Sequence, residues 1–209
     1  MTHANTDARF WDRIARRYAG KAVPDPAAYE TKLNKTSGYL KPTDQVLEIG
    51  CGSGSTALYH SPQVDRILAT DFSTQMIDVA REKARQAGVD NVSFQVSSIE
   101  DLACSSMQYD VVMAHNVLHL VANVPQTLHE IHKMLKPGGL MISSTQCIGD
   151  SAAWFGWVAP LGKALRLLPR VNVFRETDFF QWIGSASFDI EEVWQAGPKA
   201  SHYVVAKAV

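Results

Sequence analysis

Short runs of apolar residues recur along the chain and alternate with stretches that carry helix signals. The runs predict five strands: QVLEIG (45–50), RILAT (66–70), VSFQV (92–96), YDVVMAH (109–115) and LMISST (140–145). Between them, Ser73 is placed to cap a helix that ends near Gly88, and Asn123 is placed to cap another that runs through Leu135. Strands that alternate with helices predict parallel βαβ units in a doubly wound sheet.

The last part of the chain has a different pattern. The runs FDIEEVWQ (188–195) and SHYVVAKAV (201–209) are separated only by a short stretch with a Gly-Pro turn, which leaves no room for a crossover. One of these two strands should therefore run antiparallel. We expect an α/β fold: a Rossmann-like, doubly wound, seven-stranded and mostly parallel sheet with an antiparallel C-terminal strand and helices on both faces.

Composition and charge limit the classes of function. Apolar residues make up 46% of the chain and charged residues 20%, an ordinary balance for a globular protein. The formal net charge is −1, so charge provides no reason to propose nucleic acid as a partner. The three cysteines match no metal-binding spacing and indicate free thiols in a reducing compartment. The chain lacks an apolar signal core and a long apolar run, so we expect a cytoplasmic protein without a membrane-spanning segment.

A glycine-rich turn follows the first predicted strand. In EIGCGSGS (48–55), Gly50, Gly52 and Gly54 permit tight turning and close approach of a ligand to the backbone. The N–H groups of the helix that follows can donate to ligand oxygens. The dinucleotide fingerprint G-x-G-x-x-G would need its third glycine where Ser55 stands. A nicotinamide oxidoreductase is therefore a weaker alternative.

Two carboxylates flank this turn and suggest what the ligand carries. Glu48 lies two residues before Gly50, where it suits an ammonium group better than a pyrophosphate. Asp71 ends the second strand, at a spacing that suits hydrogen bonds from both ribose hydroxyls. The pattern therefore predicts a ligand that combines a ribose with a cation.

With these residues in place, the chain resembles the class I S-adenosylmethionine-dependent methyltransferases. The motifs that carry the resemblance are VLEIGCGSG (46–54), ATDFSTQMIDVAREKA (69–84), SSIEDL (97–102), YDVVMAHNVLHLV (109–121) and LKPGGLMISS (135–144). They occur in the family's order over residues 40–146. The opening FWDRIARRYA is similar to the N-terminal helix of small-molecule members related to the ubiquinone and menaquinone methyltransferases.

The resemblance implies S-adenosylmethionine as cofactor, S-adenosylhomocysteine as product, and a set of cofactor-binding positions. These are Tyr18, Glu48, Gly50, Cys51, Gly52, Gly54, Asp71, Phe72, Met76, Ser98, Ile99 and His115. Within the set, Tyr18 is expected to reach the cofactor's carboxylate, and Phe72 and Met76 to lie beside the adenine. Ser98 stands where the family usually has an aspartate, so its hydroxyl would accept from the adenine more weakly.

The catalytic expectation concerns two histidines. His115 follows the fourth strand, and His119 comes four residues later, so either can serve as a general base or orient a nucleophile. A packing or surface role is the alternative for both. A zinc site at this pair is rejected because no third ligand is visible nearby.

The acceptor is expected to be a small apolar or aromatic molecule. The predicted wall of the acceptor site consists of Trp11, Trp154 and Trp157. The pattern of residues 151–174 is compatible with either a covering helix or an apolar lid over the acceptor. A transient contact with a membrane interface is compatible with that segment. A non-catalytic protein that binds the same cofactor as a ligand or sensor remains the alternative function.

The length of 209 residues favours a single methyltransferase domain over 1–209. We divide it into an N-terminal helical cap (1–40), a cofactor-binding core (41–146), a lid and substrate segment with a helix (147–187), and a C-terminal strand pair (188–209). A monomer or a homodimer is expected.

Overall fold

The computed structural model describes residues 3–151 and 170–209. The helices within these ranges are α1 (His3–Ala19), α2 (Pro26–Ser37), α3 (Ser55–His60), α4 (Thr74–Ala87), α5 (Ile99–Ala103), α6 (Val124–Met134), α7 (Ile148–Ser151) and α8 (Glu176–Ser185). The strands are β1 (Gln45–Ile49), β2 (Arg66–Asp71), β3 (Val92–Val96), β4 (Tyr109–His115), β5 (Leu135–Thr145), β6 (Phe188–Trp194) and β7 (His202–Ala208). Short 3-10 turns lie at Ser61–Gln63 and Leu118–Leu120.

The strands form one seven-stranded sheet in the order β3-β2-β1-β4-β5-β7-β6. β1 to β5 are parallel, whereas β7 pairs antiparallel with both β5 and β6. The predicted fold class is confirmed, and β7 is the antiparallel strand. The order of the strands reverses between β1 and β4, which is where a doubly wound sheet opens a crevice at its carboxyl edge.

Alternate residues of the central strands build the two layers of the core. In β1, Leu47 packs with the cluster that includes Leu128 of α6, while Val46 packs with the cluster that includes Ile77 of α4. All four side chains are fully buried. Because successive residues of a strand point to opposite faces, a continuous apolar run can bury both faces of the sheet.

Local signals place most helix ends where the sequence predicts them. Ser73 Oγ accepts from the Met76 N–H, and Asn123 Oδ1 accepts from the Gln126 N–H, each at 3.1 Å. Gly88 ends α4 in the left-handed region, as expected of a C-terminal glycine. Asn5 and Thr6 are residue types that often cap helices, but neither of them begins α1, because that helix already includes His3.

Strand β5 is longer than predicted. It begins at Leu135 rather than at residue 140, since Leu135 pairs with Tyr109 before a register shift in the β4–β5 ladder. The Lys-Pro-Gly-Gly sequence (136–139), which precedes the predicted strand, is thus included in β5. Helix α2 ends at Ser37, and Gly38 follows as its C-cap.

Most of the predicted lid, residues 152–169, lies outside the described residues, so the covering-helix and lid alternatives for 151–174 both remain predictions. The proposed division into segments within 1–209 also remains a prediction. In the ranges 3–151 and 170–209, none of the helices is both long enough and apolar enough to cross a membrane.

Candidate functional site

A cavity of about 610 Å³ opens at the carboxyl edge of the sheet, where the strand order reverses. The ends of β1, β2 and β4 form its floor, and α1 with the segment after it forms one wall. Predicted site residues that line it are Trp11, Tyr18, Glu48, Gly50, Cys51, Gly52, Asp71, Phe72, Met76, Ser98, Ile99 and His115. Residues separated by up to about 100 positions are therefore brought to one place.

Four predicted residues are not among those that line the cavity, for different reasons. Gly54 does not line the cavity: a Cβ there would lie 2.7 Å from the Phe94 ring, so this glycine serves the packing of α3 on the core. His119 is also absent from the cavity lining. Trp154 and Trp157 lie outside the described residues.

Gly52 has the opposite surroundings to Gly54. Its φ is +52°, which favours glycine, yet a Cβ at this position would meet no atom within 4 Å. The open space beside it is the cavity itself. The bare backbone at Gly52 therefore leaves room for a ligand.

Asp71 holds the glycine loop and is oriented by it. One carboxylate oxygen accepts from the Gly52 N–H at 3.0 Å, and the other accepts from the Ser73 N–H at 2.8 Å. Burial raises the pKa of Asp71, and these two hydrogen bonds oppose that rise. Both oxygens retain lone pairs that can accept from ligand hydroxyls at the cavity wall.

Glu48 is buried without a full set of partners. Its side chain is 2% exposed, and Oε2 has no hydrogen-bond partner among the residues that the structure describes. Burial, with a smaller contribution from Asp71, raises the pKa of Glu48 to about 8, although the Ala57 N–H favours the charged form. A buried carboxyl group whose oxygen has no hydrogen-bond partner is suited to a ligand that brings a positive charge.

Helix α1 is fastened over the cavity by Asp12, which the sequence did not single out. Asp12 Oδ1 accepts from Ser73 Oγ at 2.7 Å and from the Gln75 N–H at 3.1 Å, at the start of α4. Trp11 packs edge-to-face on Tyr18, with ring centroids 5.8 Å apart. Tyr18 is 48% exposed and stands at the mouth of the cavity, where burial and the Asp71 carboxylate raise its pKa.

The predicted adenine end combines an apolar wall with a polar turn. Met76 is 2% exposed and lines the cavity together with Phe72. Ser98 caps α5: its hydroxyl donates to Asp101 Oδ2 at 2.7 Å and accepts from the Asp101 N–H at 3.1 Å. One lone pair of the hydroxyl remains, so Ser98 can contribute a single accepting position at most.

The two predicted histidines have different positions. His115 lines the cavity, and its Nε2 is buried without a hydrogen-bond partner among the described residues. Burial lowers the pKa of His115 to about 3, with smaller contributions from His60 and Lys32. His119 lies in the 3-10 turn Leu118–Leu120, where burial lowers its pKa to about 4. The structure therefore supports a role at the cavity for His115 alone.

The loop after β4 completes the floor of the cavity. Asn116 adopts a positive φ of 55° and donates its N–H to the Ser144 carbonyl at 2.7 Å. This turn brings Val117 against Gly50, where a Cβ would lie 2.4 Å from the valine side chain. Asparagine tolerates the left-handed region, so Asn116 directly after a strand is the signal that could have identified this turn.

Apolar residues that the sequence did not single out form much of the remaining wall. Val23, Pro24 and Tyr29 contribute from the α1–α2 connection and α2, and Leu120 and Val121 from the segment before α6. Asn172 fastens residues near Arg170 to this segment, donating through Nδ2 to the Val121 carbonyl at 2.6 Å.

In the described parts of the chain, no group of three or more His, Cys, Asp or Glu side chains is placed to hold a metal ion.

Comparison with known proteins identifies the family. Residues 40–171 match the model of a family described as "Methyltransferase domain". The chain is 32% identical over 139 residues to a demethylmenaquinone methyltransferase of Symbiobacterium thermophilum, covering 63% of this chain and 55% of that protein. It is 27% identical over 194 residues to a ubiquinone biosynthesis O-methyltransferase of Xanthomonas axonopodis pv. citri, covering 88% and 77%.

A solved structure shares the fold. The S-adenosylmethionine-dependent methyltransferase of Mesorhizobium loti superimposes with a TM-score of 0.70 at 18% identity, covering 88% of this chain and 99% of that one. The matched regions cover 38%, 55% and 56% of the length of three of the curated relatives.

Proposed function

The chain belongs to the methyltransferase-domain family, in the S-adenosylmethionine-dependent class, and we propose that it transfers a methyl group from this cofactor to a small molecule. The family membership confirms the resemblance on which the enzyme class and the cofactor were predicted. The acceptor and the roles of individual residues are proposals, which the geometry of the cavity supports.

The single observation that carries the proposal is the paired arrangement of Glu48 and Asp71. Asp71 is oriented by the Gly52 and Ser73 N–H groups and would accept from the ribose hydroxyls. Glu48 has a buried oxygen without a partner among the described residues and would receive the positively charged amino-acid end. Phe72 and Met76 would flank the adenine, and Tyr18 would close the mouth beside the cofactor's carboxylate.

When bound, the cofactor supplies an electrophilic methyl group on a positively charged sulfur, and loss of the methyl leaves a neutral thioether. The protein's part is to align the acceptor and to exclude water. Helix α1, held by Asp12, covers the cavity for this purpose. Trp11, Tyr18 and Ala19 are the residues of α1 that line the cavity.

His115 is suited to orient the acceptor rather than to remove its proton. With a pKa of about 3, the imidazole is neutral at physiological pH and a weak base. A neutral imidazole beside the cavity can still donate or accept a hydrogen bond. We therefore assign His115 a hydrogen bond to the acceptor. We also infer that the nucleophile is already largely deprotonated when it reaches the site.

The proposed acceptor is small and apolar or aromatic. Val23, Pro24, Leu120 and Val121 present apolar surface to the cavity beyond the predicted cofactor positions. Two relatives are named for demethylmenaquinone and for ubiquinone biosynthesis, which favours an electron-rich aromatic ring as the acceptor class. Trp154 and Trp157 remain proposed parts of the acceptor wall.

Calorimetry with S-adenosylhomocysteine and with NADH tests the cofactor assignment. We expect the former to bind with a dissociation constant between about 0.3 and 30 μM, and NADH to show no saturable binding. Saturable binding of NADH alone would overturn the proposal.

Transfer of a labelled methyl group into any product of a metabolite extract then tests catalysis. We expect a labelled small molecule whose formation depends on the protein. Cofactor binding without transfer to any component of extracts from several organisms would favour the non-catalytic, ligand-sensing alternative.

A further inference from the structure

A cluster of polar side chains lies between α2 and the carboxyl ends of β4 and β5, behind the cavity wall. Lys32 Nζ donates to Ser144 Oγ at 2.9 Å and to Ser201 Oγ at 2.5 Å. The two serine oxygens are 3.0 Å apart. Ser144 is the direct partner of His115 in the β4–β5 ladder, so the ammonium is held one strand away from a residue that lines the cavity.

The environment of Lys32 is unusual for a structural lysine. Its hydrogen bonds go to hydroxyl groups, and no carboxylate among the described residues lies within ion-pair distance of it. Asp25 favours its charged form only at longer range, while burial lowers the pKa of Lys32. Lys35, one turn further along α2, instead forms an ion pair with Glu192. Lys32 is partly buried, and an ammonium that loses part of its hydration without a contacting counter-ion costs free energy.

The positive charge of Lys32 affects His115, which lines the cavity. Two groups on neighbouring elements disfavour protonation of His115: His60 from α3 and Lys32 from α2. His60 is fully buried, and burial lowers its pKa, so it is neutral at physiological pH. Of these two groups, Lys32 is the one that brings a positive charge to the side of the cavity where His115 lies.

We propose that Lys32 is an electrostatic positioning residue for methyl transfer, whose ammonium group disfavours the positively charged methyl donor relative to its neutral product. The inference rests on the proposed function. Like charges repel most strongly where water is excluded, and removal of the methyl group eliminates one of the two charges. The same field attracts an anionic nucleophile such as a phenolate or an enolate. Lys32 therefore favours loss of the sulfonium charge, and it helps to bring an anionic nucleophile to the site.

Paired dissociation constants for S-adenosylmethionine and S-adenosylhomocysteine provide the test, because the two ligands differ by the methyl group and the sulfonium charge. In Lys32→Met, we expect the dissociation constant for S-adenosylmethionine, divided by that for S-adenosylhomocysteine, to fall by about three- to tenfold relative to the unsubstituted protein. A purely structural contribution of Lys32 would change both constants by the same factor. The readout needs no acceptor and no turnover.

Two variants on the same helix serve as matched controls. Lys35→Met removes the same charge from α2 but acts on an ion pair with Glu192, so the ratio should keep its original value. Lys32→Arg keeps the charge and should also preserve the ratio. A fall of equal size in Lys35→Met would overturn the proposal, because it would show that any charge lost from α2 has the effect.

A second variant keeps the proposal testable if Lys32→Met fails to fold. Ser201→Asp would place a carboxylate beside the ammonium and compensate its charge, so the ratio should fall in the same direction. A folded Lys32→Met or Ser201→Asp protein with an unchanged ratio would overturn the proposal. Failure of the unsubstituted protein to bind either ligand would instead refute the proposed function.

Discussion

The backbone N–H of Gly52 donates to Asp71 Oδ2 at 3.0 Å and so joins the glycine loop after β1 to the end of β2. The loop and the carboxylate consequently position each other before any ligand arrives. Asp71 has its second oxygen fixed by Ser73, at the start of α4. One carboxylate thus orients two backbone segments that face the same cavity.

Replacement of Asp71 should weaken the binding of S-adenosylhomocysteine strongly. Asp71→Ala removes the acceptor of two backbone hydrogen bonds and the proposed acceptor of the ribose hydroxyls, so we expect a loss of about 2 to 3 kcal/mol by calorimetry. Asp65→Ala, which alters an exposed ion pair with Arg66 instead, is the matched control and should leave the affinity unchanged. Equal affinities in both variants would contradict the assignment of Asp71.

Glu48 should couple ligand binding to pH. Its pKa of about 8 leaves the ligand-free carboxyl mostly protonated at pH 7, and the ammonium group of the ligand would favour the ionised form. Binding of S-adenosylhomocysteine should therefore release a proton below pH 8, and affinity should rise from pH 6 to pH 8. Calorimetry in buffers of different ionisation enthalpy measures this release, which Glu48→Gln should abolish.

The same shift has a consequence for the ligand-free protein. Because the folded pKa of Glu48 is raised from 4.5 to about 8, its contribution to stability is fully present below pH 4.5 and is lost as the pH rises through 8. Glu48→Gln should accordingly make the free energy of unfolding less dependent on pH between 6 and 9. A steeper dependence in that variant would show that Glu48 is not the buried neutral acid.

Alanine at two glycines should separate ligand binding from folding. Gly52→Ala places a Cβ in the open cavity, so it should weaken S-adenosylhomocysteine binding and cost only about 1 kcal/mol of stability, from its positive φ. Gly54→Ala forces a Cβ to within 2.7 Å of the Phe94 ring and 2.8 Å of Ala80, so it should cost about 2 to 4 kcal/mol in urea unfolding. The reverse order of stabilities would refute the division of roles.

Asp12 should hold α1 over the cavity. Asp12→Ala removes the acceptor for Ser73 Oγ and the Gln75 N–H, so amide hydrogen exchange in α1 should become faster while exchange in the central strands stays unchanged. We expect S-adenosylhomocysteine affinity to fall by about three- to tenfold. The control is Asp78→Ala, which alters an exposed ion pair of α4 with Arg81. Unchanged exchange in α1 would show that other contacts hold the helix.

His115 should make the protein sensitive to acid. Its pKa of about 3 lies below the ordinary 6.5, so its contribution to stability is present above pH 6.5 and is lost as the pH falls from there toward 3. Replacement by glutamine should flatten the pH dependence of unfolding in this window. In NMR of histidine-labelled protein, the His115 ring should show no titration between pH 5 and pH 8, and a midpoint near 6.5 would contradict its burial.

The sequence by itself determined the order of the elements and the location of the cofactor end of the site. Ser73, Gly88 and Asn123 act on backbone groups within a few residues, so their capping roles can be read locally. Asp71 could be placed because a residue at the end of a parallel strand must lie at the carboxyl edge of the sheet. Glycines, carboxylates and strand ends together predicted a ribose and a cation.

Only the tertiary structure decided how residues distant in the sequence act on that site. Lys32 meets Ser144 and Ser201 across 112 and 169 positions, and nothing in the local pattern of α2 indicates either contact. The orphaned oxygen of Glu48 and the separate positions of His115 and His119 also depend on packing from several elements. Periodicity and capping are local properties of a chain, whereas burial, and with it the charge state of these groups, is created only when the helices close over the sheet.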